Sequence, residues 1–276
     1  MLTDTHTHLY SEHFNEDLSL VIQRAFDSGV KRLFIPAIDS ATTEAMYSLE
    51  KQYPDNVFLM MGLHPTSVKS NFEQELEHVK REFSKRHFFA VGEIGIDLHW
   101  DKSNLENQKK AFKIQIQLAK KYKLPIVIHC RDAFDEIFKI LESENDDDLF
   151  GIFHCFTGTE EQANKAISFN MKLGIGGVVT FKNGKIDTFL NKIDIKNIVL
   201  ETDSPYLSPV PYRGKRNESS YLIYVLAKVA EIFGLPEKEL AEITTKNAIK
   251  TLITSKTYDQ EQEHYLDKVE DVVMRV

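Results

Sequence analysis

The sequence predicts a single-domain α/β protein built as a (β/α)8 TIM-like barrel. Three observations support this. About eight short apolar runs, most of them followed by a stretch of helical periodicity, fill roughly 250 residues, which is the cadence of such a barrel. No short-period repeat, low-complexity tract or Gly/Ser-rich linker divides the chain. The rival fold, a doubly wound open sheet, usually carries a glycine-rich first loop, whereas the first run here ends in THTHLY.

Taken in order, the expected strands are Leu2–His6, Lys31–Ala37, Val57–Leu63, Phe88–Ile94, Pro125–His129, Gly151–His154, Lys172–Gly176 and Asn197–Glu201. Between them run amphipathic segments. In Leu105–Tyr122, the residues Leu105, Phe112, Gln115, Ile116 and Ala119 recur at helical spacing. In Tyr221–Phe233, Leu222, Val225, Leu226, Val229, Ala230 and Phe233 make one apolar face, Gly234 stops the helix, and Pro236 opens the next segment. The run Asn145–Asp148 reads as a solvated loop. The barrel is expected to span residues 1–255, with 256–276 an appended helix or partly ordered tail.

Composition excludes several classes. The chain is 42% hydrophobic and 28% charged, ordinary for a globular protein. No apolar run approaches the ~18–20 residues of a membrane span, and no basic-then-apolar leader opens the chain, so a cytoplasmic protein is expected. Two cysteines, Cys130 and Cys155, are too few for a disulfide scaffold. A formal charge of −8 argues against broad binding of nucleic acid by charge alone, though not against a local phosphate site.

The chemistry lies at the ends of the apolar runs. In the opening DTHTH, strand alternation turns Asp4, His6 and His8 to one side. Glu93 closes VGE, His129 closes IVIH, His154 closes GIFH, and Glu201 and Asp203 close IVLETD. In a barrel, the C-terminal strand ends converge on one mouth. One buried histidine is commonly structural. Four imidazoles and two carboxylates in a low-dielectric cleft are costly unless something binds them, so a metal site outweighs packing. Cys130 and Cys155 each follow a histidine, and alternation turns them toward the helix layer as small apolar side chains rather than ligands.

These motifs resemble the TatD-like family of metal-dependent hydrolases, in the amidohydrolase superfamily. The resemblance runs through DTHTHLY, GLHP (Gly62–Pro65), VGEIGID (Val91–Asp97), IHCRDA (Ile128–Ala133), HCFTG (His154–Gly158), ETDSPYLSPVPYRGKRNE (Glu201–Glu218) and TTKNAIKTL (Thr244–Leu252). The ETDSPYL…RGKRNE stretch is the most specific. The resemblance implies a TIM-like barrel, two divalent metal ions and hydrolysis of DNA phosphodiesters. It implies His6, His8 and Asp203 on one cation, His129 and His154 on the other, and Glu93 bridging them. Two positions depart from the family pattern: Tyr10, where an acid is frequent, and Ser219, where proline is usual. Neither is expected to touch a ligand.

A mixed set of imidazoles and carboxylates suits Zn²⁺, Mn²⁺, Ni²⁺ or Fe²⁺ more than Mg²⁺, although Mg²⁺ supplied in solution can still be the working ion. Asp203 is expected to act as general base and Glu93 to be catalytic through its bridge. For substrate, Arg213 can fork onto two phosphate oxygens, Asn217 adds donors, and His64 ends a strand at the same mouth. Lys215 and Arg216 are evenly balanced between phosphate contact and a solvated loop. Glu201 reads as orienting a ligand rather than binding metal. Tyr206, Tyr212 and Trp100 could face a base, but packing is the simpler reading for the tyrosines.

Three functions compete. The first is a metal-dependent deoxyribonuclease, a 3′–5′ exonuclease on single-stranded or frayed DNA, since a deep mouth admits no intact duplex. The second is a hydrolase of an amide or ester in a small molecule or aminoacyl-tRNA. The third is a non-catalytic barrel, which a complete ligand set disfavours. DNA is the expected partner; no membrane and no obligate protein partner are indicated.

Overall fold

A computed structural model describes residues 1–100 and 102–253; the expected tail, 256–276, lies outside the described residues. Eight parallel strands form the frame: β1 (Leu2–Asp4), β2 (Val30–Pro36), β3 (Val57–Met60), β4 (Val91–Asp97), β5 (Ile126–Arg131), β6 (Gly151–Phe153), β7 (Met171–Ile175) and β8 (Ile198–Leu200). Strands β1 to β3 pair in sequence order, as do β4 to β8. Parallel bridges Met61–Val91 and Thr7–Ser204 join the two sets, closing the ring.

The helices are α1 (Leu18–Asp27), α2 (Thr43–Gln52), α3 (Phe72–Lys85), α4 (Leu105–Tyr122), α5 (Phe134–Glu144), α6 (Glu160–Ser168), α7 (Leu222–Phe233) and α8 (Glu237–Leu252). The crossing from β7 to β8 uses short 3-10 turns instead of an α-helix, and two helices follow β8. Helix α7 ends at Gly234, whose φ of 65° is the left-handed conformation a glycine adopts without a Cβ clash. Among the described residues, no single helix is long and apolar enough to cross a membrane.

Strand alternation divides the core in two. Leu33, Ile35, Leu59, Ile126, Ile128, Phe153 and Leu200 face the helix layer. Phe34, Phe58, Met60, Val127, Ile152 and Val199 fill the barrel interior, where Ala248, Ile249 and Leu252 of α8 close one end. The inward positions continue toward the other end: His129 follows Val127 by two residues, His154 follows Ile152, and Glu201 and Asp203 follow Val199. A strand filled with apolar residues at its base therefore presents its polar group at the mouth.

Strand β4 runs three residues beyond the expected Ile94, so Glu93 stands inside the strand rather than at its end. Val91 and Ile94 both face outward with two residues between them, and the register with β5 slips at this point. That slip carries Glu93 inward and leaves Gly95 and Asp97 on the inner side. A Cβ at Gly95 would sit 2.0 Å from the His129 carbonyl oxygen, so only glycine permits this approach of β4 to β5.

Two buried glutamines on α4 anchor the strand ends. Gln115 Oε1 accepts from Leu63 N (2.7 Å) while its Nε2 donates to Leu63 O (3.1 Å). Gln108 repeats the clamp on the backbone of Asp97 at 2.8 and 3.1 Å. One helix thus holds the segments bearing His64 and Asp97, with both buried amides satisfied.

Candidate metal centre

His6, His8, Glu93, His154 and Asp203 are buried together at the mouth, and His129 stands beside them, partly exposed. Glu93 is the hub. Its Oε2 lies 3.1 Å from His6 Nε2 and 3.7 Å from His8 Nε2. Its Oε1 lies 2.9 Å from His129 Nδ1 and 3.0 Å from His154 Nε2. Asp203 Oδ1 completes the first side, 3.5 Å from His8 Nε2 and 3.9 Å from His6 Nε2. Donors bonded at ~2.0–2.2 Å to one tetrahedral cation stand about 3.3–3.6 Å from one another, so this spacing fits metal-sized gaps. Among the described residues three such groups form, each with ligand atoms within 4.8 Å of one another: His6, His8 and Asp203; His6, Glu93 and His154; and His64, Glu93 and His129. His129 is thus grouped with His64 and not with the expected His154.

Two imidazoles are held from behind by hydrogen bonds, each by a different partner. His129 Nε2 donates to Asp97 Oδ2 at 2.9 Å, leaving Nδ1 for the cluster. His8 Nδ1 lies 3.0 Å from Tyr10 Oη, whose hydroxyl donates to Pro36 O, so Nδ1 carries the proton and Nε2 offers its lone pair. This corrects the expectation that Tyr10 touches no ligand. His154 Nδ1 stands 3.3 Å from Glu201 Oε1, at an angle too poor for a hydrogen bond, and Glu201 also accepts from Cys155 N and Thr5 Oγ1. Glu201 thus lies behind His154 without a hydrogen bond to it. Asp4 instead accepts from Thr202 N (2.9 Å) and Thr202 Oγ1, anchoring the residue before Asp203.

The electrostatics suit cations. Burial pushes the Glu93 carboxyl up, but the charges of His154, His64 and His6 overcome it and hold it well below the usual range. Burial raises Asp203 too, yet the neighbouring imidazoles of His8, His154 and His6 bring it below its ordinary value. Burial would lower His129, and its bonds to Asp97 and Glu93 leave it raised; His154, beside Glu93 and Glu201, is held well above its usual value. Buried carboxylates thus draw protons onto two imidazoles, and divalent cations would supply the same positive charge. The donor set fits divalent cations, as the motifs imply.

His64 is brought into the cluster, its Nε2 3.2 Å from both Glu93 Oε1 and His129 Nδ1. Its Nδ1 accepts from Thr66 N at 3.1 Å, so the neutral ring carries its proton on Nε2. Burial lowers its pKa, which keeps it neutral. His64 Nε2 thus faces His129 Nδ1, and His64, Glu93 and His129 bring their ligand atoms within 4.8 Å of one another, so this ring stands among the donors themselves.

The Arg213–Asn217 loop departs from expectation. Asn217 is fully buried and donates both amide protons, to Thr202 O (2.8 Å) and Tyr206 O (2.6 Å), while Oδ1 accepts from Glu218 N. Its hydrogen-bonding capacity is consumed in holding the loop, which removes it as a substrate contact. Arg216 forks onto Asp17 at 2.7 and 2.8 Å over the Phe14 ring, so it too is structural. Arg213 lays its guanidinium 3.6 Å above the Phe181 ring rather than on any cluster residue. Cys155 also differs: its φ of 44° breaks strand alternation, and its thiol, pushed up by burial, feels the charges of Asp203, Glu201 and Glu93 instead of facing the helix layer. Cys130 packs against the apolar core as expected.

Sequence reasoning missed Asp97 and Tyr10. Asp97 lies in VGEIGID four residues past Glu93, and a strand extended to its full length would have put both on the inner face.

Known proteins resemble this chain over most of its length. The model of TatD-related DNases matches residues 3–252. The metal-dependent hydrolase YabD of Bacillus subtilis (strain 168) is 42% identical over 250 residues, covering 90% of this chain and 97% of YabD. A protein of Rahnella sp. (strain Y9602) named 3′-5′ ssDNA/RNA exonuclease TatD is 31% identical over 254 residues, covering 90% and 96%. The crystal structure of YjjV, a TatD homologue from Escherichia coli K12, superposes with a TM-score of 0.86 at 28% identity, covering 92% and 98%. With the barrel and the motifs in agreement, the chain belongs to the TatD-related DNase family of metal-dependent hydrolases.

Proposed function

We propose that this protein hydrolyses phosphodiester bonds in DNA, removing nucleotides from the 3′ end of single-stranded or frayed strands. One observation carries the reading: Glu93 meets His6 with one oxygen and His129 and His154 with the other, an arrangement suited to a hydrolytic site with two cations. The name of the Rahnella relative supports nucleic acid as the substrate class.

His6, His8 and Asp203 would hold one cation, His129 and His154 the other, and Glu93 both. When bound, such a pair lowers the pKa of a water and clamps the scissile phosphate. The chain's own residues do the rest. Asp203, ionised and almost buried, accepts the proton of the attacking water. His64, with its proton on Nε2, offers a donor to an anionic oxygen at the mouth. Asp97 and Tyr10 keep their imidazoles aimed, so little reorganisation accompanies the reaction.

A second reading gains from the loop. With Arg216 and Asn217 occupied internally, phosphate recognition has fewer donors than the sequence suggested, and a carboxylic ester or lactone becomes a fair rival. The test incubates metal-loaded protein with end-labelled single-stranded oligonucleotides and with ester and lactone substrates. Stepwise shortening from the 3′ end, abolished by chelation, is expected. Ester turnover beside intact oligonucleotide would overturn the reading.

A further inference from the structure

Among the described residues, the large hydrophobic side chains left exposed include only two aromatic rings, Trp100 at 71% and Tyr206 at 52%. Both stand at the mouth. Trp100 follows β4, and its backbone N–H donates to Asp97 Oδ1 (3.1 Å), the same carboxylate whose other oxygen holds His129. The Arg131 guanidinium, two residues past His129, lies 5.7 Å from the indole centroid. Tyr206 follows β8, its N–H bonded to Asp203 O (2.8 Å) and its ring meeting His8 edge-on at 6.0 Å. In an eight-stranded ring, β4–β5 lies across from β8–β1, so the two rings flank the ligand cluster from opposite sides.

We infer that Trp100 and Tyr206 are stacking platforms for the nucleobases on either side of the scissile phosphate, with Arg131 meeting the adjoining backbone. Exposed rings on rigid attachments are what sequence-tolerant single-strand binders use, because every base has a π-face. Each ring is anchored through its own backbone to a proposed ligand or to that ligand's partner, so a stacked base is registered against the reacting centre. Arg131 adds positive charge where the chain as a whole carries −8. His99, edge-on to the indole at 5.0 Å and paired with Asp132 at 3.6 Å, supports the ring. The inference rests on the nuclease reading above.

Trp100 is the only tryptophan, so its emission reports this ring alone. Titrating metal-loaded protein with a short nuclease-resistant oligothymidylate should quench that emission saturably. W100A and Y206A should each raise KM for a single-stranded oligonucleotide roughly ten-fold, with W100F and Y206F close to the parent. Both losses should disappear on a substrate made abasic at its 3′-terminal positions. Cleavage by the parent with no quenching and unchanged KM in both variants overturns the platforms and leaves the nuclease standing. A KM increase that persists on abasic substrate also overturns them, assigning the rings to loop packing. Failure to bind or cleave any oligonucleotide removes both readings.

Discussion

Asp97 and His129 form a carboxylate–imidazole pair, Oδ2 to Nε2 at 2.9 Å, that aims the opposite ring nitrogen at Glu93. The other Asp97 oxygen accepts from the amides of His99 and Trp100. Asp97→Ala should therefore weaken cation binding about 10–100-fold, the usual cost of removing such a partner. Calorimetric metal titration checks this; unchanged affinity would show that His129 needs no orienting.

Asp203 is held below its ordinary pKa amid three imidazoles, so it stands ionised beside the cluster. Asp203→Asn preserves shape and removes the base. Folding should be retained by circular dichroism, while hydrolysis falls on the order of 10²–10⁴-fold. Full activity in this variant would refute the role.

Asn217 stitches the segment bearing Asp203 and Tyr206 with three hydrogen bonds. Asn217→Ala strands two buried carbonyls and should cost about 2–4 kcal/mol of stability. Denaturant midpoints measure it. A variant as stable as the parent but with raised KM would restore Asn217 as a substrate contact.

His87, at the opposite end of the barrel from the metal centre, is lowered from 6.5 to about 4, mainly by burial and then by Arg86. The unfolded chain takes up a proton below pH 6.5, and the folded one only near pH 4. Stability is therefore complete above pH 6.5 and lost as pH falls through this window, by roughly 2–3 kcal/mol. His87→Gln should lessen the acid sensitivity between pH 6.5 and 4. Parallel melting curves for the two proteins across that range would contradict it.

Much of the site could be read locally. Helix α4 covers the residues its periodicity indicated, and every histidine placed at the end of an apolar run reaches the mouth. The polar residue two positions beyond an inward apolar one stays on the inner face, a regularity that a short window contains. Glu93 was placed correctly for an incomplete reason, since its strand continues and a register slip turns it inward.

The sequence by itself determined the barrel cadence and the residue types that meet at the mouth, because strand and helix periods are properties of neighbouring residues. Only the tertiary structure decided which nitrogen of each imidazole faces the centre, how Gln108 and Gln115 hold the strand ends, and that Arg216 belongs to Asp17. The last pair is separated by 199 positions. Such a hydrogen bond depends on where the folded backbone brings two side chains, and no local pattern encodes it.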